Sequence, residues 1–257
     1  MEQQLEDELY DKAEFMLKYA THLMGCGVHT SRVLRNTRRI GESFGYEVEL
    51  GVFNLHVILT LKDSQHHAQI TEIAWVNHLP FNFEHNARLS ALSWNCYDYH
   101  YDFADLQRRY DKILSTPRLG KWKTLLAASA GNAAFCQLFG GDIASMATVF
   151  VGTGMAFYLR TQMAAVHLNV YLQVISAAFV SSLVCSTTLL YDSTSSIALA
   201  TSVLFLVPGV PLINGVIDMI EGHVLTGITR LINALLWIVS LAIGLGLTLI
   251  ITKGALV

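Results

Sequence analysis

The stretch Leu204-Phe205-Leu206-Val207-Pro208-Gly209-Val210-Pro211-Leu212-Ile213-Asn214-Gly215-Val216-Ile217-Asp218-Met219-Ile220-Glu221-Gly222-His223 decides how this chain is read. It occupies the latter part of an apolar run at about 195–220. A helix needs roughly 20 apolar residues to cross the hydrocarbon layer of a bilayer, and the run is long enough. Two prolines flank a glycine near its middle. Each proline removes a backbone hydrogen bond and clashes with the preceding turn, so the spacing predicts a helix broken at Pro208–Pro211. In lipid, the freed backbone groups must face protein or a water-filled cavity. Broken helices at the bilayer midplane are a recurring way to build transporter binding sites. Pro211 suits the first turn of a new half-helix. The N-terminal end of that half-helix, at Pro208, Gly209 and Pro211, carries partial positive charge and free N–H groups for an anionic ligand group.

Asn214, Asp218 and Glu221 follow at i, i+4 and i+7 and share one helical face. Carboxylates this close to a membrane line a polar path or pair with a cation. Asp218 is the candidate carrier of a coupling proton. Glu221 has the competing reading of a carboxylate solvated by headgroups at the cytoplasmic end of the span.

Working outward, the charges divide the chain. Residues 1–117 carry 11 of the 17 Lys and Arg and 16 of the 20 Asp and Glu, leaving 6 and 4 for residues 118–257. Soluble domains are about a quarter charged, which fits the first half and not the second. The second half holds five apolar runs, at about 122–139, 143–160, 168–190, 195–220 and 228–252. Arg118, Lys121 and Lys123 precede the first run, and Asp142 alone follows it. Arg160 and His167 separate the second and third, and Asp192 alone the third and fourth. Asp218, Glu221, His223 and Arg230 separate the fourth and fifth. Cationic loops stay in the cytoplasm, so the expected topology is five spans, N-terminus inside and C-terminus outside, with Lys253 against the trend. Polar residues within the runs must bond inside a bundle, which makes Asn132 and Gln173 secondary site candidates. Arg160 is expected to snorkel to the interface and Asp142 to cap the second span. Small residues such as Gly152, Gly154, Gly244 and Gly246 suit close helix packing.

The first half alternates helical and strand patterns. Leu5, Leu9, Ala13, Met16, Leu17, Ala20 and Met24 predict a helix over 4–25, and Thr30 or Ser31 caps another that runs to about Ser43. Strand-like runs follow: YEVELGVF, LHVILTLKD and HAQITEIAWV, with a turn at Asp63-Ser64-Gln65. Residues 83–114 read as one longer helix. The N-terminal MEQQLEDELYDKAEF lacks the apolar core of a signal peptide, so this half is expected in the cytoplasm. Cys26, Cys96, Cys136 and Cys185 show no metal or disulfide spacing. Eight of the ten histidines, among them His66, His67, His78, His85 and His100, fall in the first half without an HExxH pair. Neither a nucleophile elbow nor a phosphate-binding loop is present. The expectation is no catalytic residue, no metal, no cofactor and no nucleic-acid partner, the net charge of −3 being too small to imply one.

The stretch Ala200–Asn214, with Asp218, Gly222 and Gly227 after it, resembles the signature of the threonine/serine exporter (ThrE) family. The Gly27 region with the helix after it, and the strand from Asn54 to Asp63, are similar to that family's cytoplasmic domain. The resemblance implies an inner-membrane exporter of small carboxylates, either a succinate-like dicarboxylate or threonine and serine. It further implies the large-subunit form of the family, which works with a smaller, four-span YjjB-like membrane partner, so that an oligomer is expected.

The fold expected is thus an N-terminal soluble α+β domain over 1–117, then an all-α polytopic membrane bundle of five transmembrane helices over 118–257. The function expected is a secondary exporter subunit in the bacterial inner membrane, not an enzyme. Its candidate substrate-binding residues are Pro208, Gly209, Pro211, Asn214 and Asp218, with Asn132, Gln173 and Glu221 behind them. The alternative is a membrane-tethered sensor or enzyme whose N-terminal domain is the working part.

Overall fold

The computed structural model describes residues 2–53, 55–63, 68–77, 79, 81–117, 119–190 and 193–255. The chain separates into two compact units, one of residues 1–117 with 210–232, the other of residues 118–209 with 233–257. The charge count assigns 210–232 to the membrane half, whereas its contacts are with the first unit.

In the first unit, helix α1 (Glu2–Gly25) leads into α2 (Thr30–Ser43) and three strands, β1 (Glu47–Val52), β2 (His56–Asp63) and β3 (Ala68–Trp75). The strands form an antiparallel sheet in chain order. α1 buries Leu9, Ala13, Met16, Leu17, Ala20 and Leu23, the spacing of one helical face. The sheet meets that core with Val48 of β1 and with Val57, Leu59 and Leu61 of β2, every second residue facing inward. At an extra ~2 kcal/mol for each fully buried aliphatic side chain, this cluster is the main stabilising term of the unit. The Tyr19 hydroxyl, fully buried, donates to the Leu89 carbonyl at 2.8 Å, and burial pushes its pKa up.

The single helix expected over 83–114 is two, α3 (Phe83–Tyr99) and α4 (Phe103–Leu114). His100 takes left-handed backbone angles (φ 47°), which ends α3, and extended Asp102 starts α4. His and Tyr at the break carry no turn signature, so periodicity alone ran through it. The turn at Asp63-Ser64-Gln65 falls on 64–67, outside the described residues. So do Asn54, His66, His67, His78, Arg118 and Asp192, and the side chains of Leu5 and Lys253.

The second unit is helical: α5 (Lys121–Leu138), α6 (Ile143–Ala165), α7 (Val170–Ser186) with a 3-10 turn to Leu190, and α8 (Ser195–Ser202) with a 3-10 turn at Leu204–Leu206. Helix α9 (Gly209–Ile220) and the first nine residues of α10 (Val224–Ala255) carry the chain through the first unit, and α10 then continues in the second. Among the described residues α6, α7 with its turn, and α10 are each long and apolar enough to cross a membrane. The interrupted pair α8 and α9 makes a fourth if taken as one broken span. α5 coincides with the first apolar run but falls outside this set, because Lys121, Lys123, Asn132 and Gln137 lower its mean hydropathy. Small residues set the packing: a Cβ on Gly152 would lie 3.0 Å from the Ser181 carbonyl, and one on Gly244 would run into the Ile175 carbonyl. Asp142 caps α6 as expected, accepting from the Ser145 N–H at 2.8 Å. The Arg160 guanidinium lies 5.2 Å from the centre of the Trp237 ring.

Candidate functional site

The break in the fourth apolar run is real and has two sides. On the N-terminal side α8 stops at Ser202, which leaves carbonyls without helical partners. Asn132 donates to the Thr201 carbonyl at 3.1 Å and to Thr153 Oγ1 at 2.7 Å, and Ser181 donates to the Ser202 carbonyl at 2.7 Å. These side chains supply what the missing helix turn would have supplied. Asn132 Oδ1 and Ser129 Oγ are buried without hydrogen-bond partners among the described residues. Gln173 is occupied elsewhere, donating to the Leu168 carbonyl at 2.8 Å.

On the C-terminal side Val207 is extended (φ −63°, ψ 126°) and the new helix begins at Gly209, two residues before the expected Pro211. Pro211 fits there because its absent N–H falls in the first turn, where no helical acceptor exists. Pro208 is buried at the break. A tight turn at Gly222 (φ 89°) then reverses the chain into α10. The two helices meet through glycines: a Cβ on Gly227 would lie 2.7 Å from the Gly215 carbonyl and 2.6 Å from Met219 Cγ.

Asn214, Asp218 and Glu221 do share a face, and that face holds the loop between α1 and α2. Asn214 Nδ2 donates to the Gly27 carbonyl at 2.6 Å. Asp218, with no exposed surface, accepts from the Thr30 N–H at 2.7 Å. Its other oxygen lies 3.1 Å from Arg230 Nη1, and the Arg230 side chain is only 12% exposed. Arg230 also donates to the Val28 carbonyl at 2.8 Å. Glu221 lies 3.3 Å from His29 Nδ1 and 3.7 Å from Arg35 Nη1. Gly27 (φ 81°) has its Cα against the Phe81 ring, leaving no room for a side chain.

The electrostatics follow from these contacts. A hydrogen bond from Ser31, with His29 and Arg35 nearby, holds the Glu221 carboxyl below its usual range. Burial pushes the His29 imidazole down and outweighs the pull of Glu221 and Asp218 in the other direction. His29, Asp218 and Glu221 each offer a ligand atom within 4.8 Å of the others, a spacing a metal ion can bridge. Arg230 on Asp218 and Arg35 on Glu221 already compensate those carboxylates, which disfavours a cation.

The sequence offers Arg230 as a loop cation, Gly27 as part of the family resemblance and Thr30 as a helix cap, and marks none of them, nor His29, as part of the site. The available signal was the spacing: Asp218 and Arg230 flank Gly222-His223, and a helical hairpin turning there sets opposite charges face to face.

A family model described as "Putative threonine/serine exporter" (ThrE) matches residues 14–252. "Probable succinate transporter subunit YjjP" of Klebsiella aerogenes is 26% identical over 243 residues, covering 89% of this chain and 89% of that one. The protein of the same description from Escherichia coli K12 is 28% identical over 244 residues, covering 89% of this chain and 90% of that one. No solved structure matches the chain. Since the family match covers most of the chain, through the interrupted α8–α9 pair and the α9–α10 hairpin, this chain belongs to the threonine/serine exporter family of multi-pass membrane transport proteins.

Proposed function

We propose that this chain is the large subunit of an inner-membrane exporter of small carboxylates, a succinate-like dicarboxylate before threonine or serine, completed by a smaller YjjB-like membrane subunit. The word "subunit" in the names of its relatives supports a partner, and their named substrate supports the dicarboxylate. In this reading α5, α6, α7, the α8–α9 pair and α10 are five spans, with residues 1–117 in the cytoplasm. The odd count leaves the transport path to be completed by the partner. The protein moves its substrate without chemistry on it.

The observation that carries the reading is the buried Asp218–Arg230 pair that joins the arms of the α9–α10 hairpin. Charged groups inside a membrane protein mark substrate and ion paths. Asp218 is an internal carboxylate held on a guanidinium, and a substrate carboxylate that reaches the pair would compete with it for Arg230. Release of the Gly27–Thr30 loop frees Asn214 Nδ2 and one Asp218 oxygen in the same step. Asp218 is then the group that exchanges a coupling proton as Arg230 changes partners. Asn132 keeps the break in place rather than touching substrate.

The test is efflux of labelled succinate from cells without their own exporters, with the chain and the small partner expressed together. Efflux should rise above the empty-vector rate and fall back with Asp218→Asn or Arg230→Gln at equal membrane levels. Wild-type rates in both variants would refute the site. No flux from the intact pair would refute the exporter reading.

A further inference from the structure

The sheet of the first unit has an unusual polarity. Its outward face is not apolar or polar throughout but changes along the strands. The pairing register sets four rungs on that face: Glu47, Lys62 and Gln69; then Glu49, Thr60 and Thr71; then Gly51, Ile58 and Ile73; then His56 and Trp75, with Phe53 just past the end of β1. The first two rungs are charged and hydroxylic, tied by Lys62 to Glu49 and Thr60 to Thr71. The last two are aliphatic and aromatic. Ile73 is 62% exposed and Trp75 71%, with Phe53 and Leu55 also exposed beside them. Phe53 stacks on His56 at 4.7 Å, and His56 meets Trp75 edge-on at 6.0 Å.

The apolar end of this gradient is also the end that touches a membrane helix. Thr226 Oγ1, in the first turn of α10, donates to the carbonyl of Val52 at 3.3 Å. α10 is the most apolar of the candidate spans, and around that turn Val224, Leu225 and Ile228 are exposed. A graded face of this kind fits a bilayer, whose polarity changes over a few ångströms along its normal and whose headgroup level gathers aromatic rings.

We propose that the Phe53–Leu55–Ile73–Trp75 end of the sheet is seated in the headgroup layer of the membrane that α10 enters, while the Glu47–Lys62–Gln69 end stands in water. The first unit is then a membrane-dipping domain rather than a freely tethered one. This rests on α10 being a span and not on the substrate assignment.

The experiment uses the full chain in phosphatidylcholine–phosphatidylglycerol vesicles with no other protein. Trp94, Trp122 and Trp237 are changed to Phe, leaving Trp75 as the reporter. Its emission should be blue-shifted, quenched more by lipid brominated near the headgroup than near the chain end, and shielded at least threefold from aqueous iodide relative to free tryptophan. Moving the reporter up the sheet, with Trp75→Phe and Thr71→Trp, should restore iodide access and abolish lipid quenching. If the triple variant misfolds, the difference in lipid quenching between wild type and Trp75→Phe gives the same readout. Trp75 open to iodide overturns the proposal. So does Trp75 shielded from both quenchers, which would mean that a second copy of the chain covers the patch.

Discussion

Arg230 Nη1 lies 3.1 Å from a carboxylate oxygen of Asp218, and Asp218 has no surface exposed to solvent. The pair joins the two arms of the α9–α10 hairpin, and the same two residues grip the α1–α2 loop through Thr30 and Val28. Removing one partner leaves an uncompensated buried charge, at a cost of about 3–5 kcal/mol, whereas replacing both with apolar groups of similar size is close to neutral. Asp218→Leu and Arg230→Met should therefore each lower the thermal unfolding midpoint in detergent. The double variant should recover most of that stability while efflux stays at background. Single and double variants of equal stability would show the pair to be uncoupled.

Gly27 is held at φ 81° with the Phe81 ring against its Cα. A side chain there carries a left-handed backbone cost of about 1–2 kcal/mol and must displace the ring. Gly27→Ala should loosen the loop that Asn214, Asp218 and Arg230 hold. The check is faster hydrogen exchange of the Val28 to Thr30 amides, with the α1–sheet core unchanged. Unaltered exchange would place the loop's stability elsewhere.

Much of this fold is legible in the sequence, for reasons that differ by region. α1 and β2 announce themselves because one face of each is buried, so their apolar residues recur with the helix and strand periods. The break at Pro208 is written in covalent geometry and needs no tertiary context. The His100 break is not, since only packing decides that a histidine takes left-handed angles there. The roles of Asn132 and Gln173 were illegible for a related reason: each bonds to a backbone carbonyl, and carbonyls carry no sequence mark. The residence of 210–232 with the first unit rests largely on backbone groups, the Gly27 carbonyl and Thr30 N–H that Asn214 and Asp218 bond and the Val52 carbonyl that Thr226 bonds, and these carry no sequence mark.

Acid should undock this loop. His29 has its pKa lowered from 6.5, so the folded state binds less proton than the unfolded one and loses stability as pH falls below 6.5 toward the lowered value. Glu221 has its pKa lowered from 4.5, so its contribution is complete above 4.5 and disappears as pH falls through the lowered value. Both slopes have the same sign. Unfolding midpoints followed from pH 7 down to below the lowered Glu221 value should decline in two stages, with His29→Gln removing the upper stage and Glu221→Gln the lower. A midpoint that rises on acidification would reverse the assigned signs.

The last prediction concerns the break itself. Asn132 and Ser181 satisfy the Thr201 and Ser202 carbonyls at the end of α8, and an unsatisfied buried polar group costs about 1–3 kcal/mol. Ser181→Ala should destabilise the chain by that order, and Asn132→Ala by less, because the Thr201 carbonyl keeps the Val203 N–H while Thr153 Oγ1 loses its donor. Replacing both Pro208 and Pro211 with Ala gives α8 the option of running on into α9, which would satisfy the same carbonyls within the helix. On that background Asn132→Ala should therefore cost less than it does alone. A double-mutant cycle of unfolding midpoints reads the coupling directly, and a coupling energy near zero would mean that Asn132 has no part in maintaining the broken span.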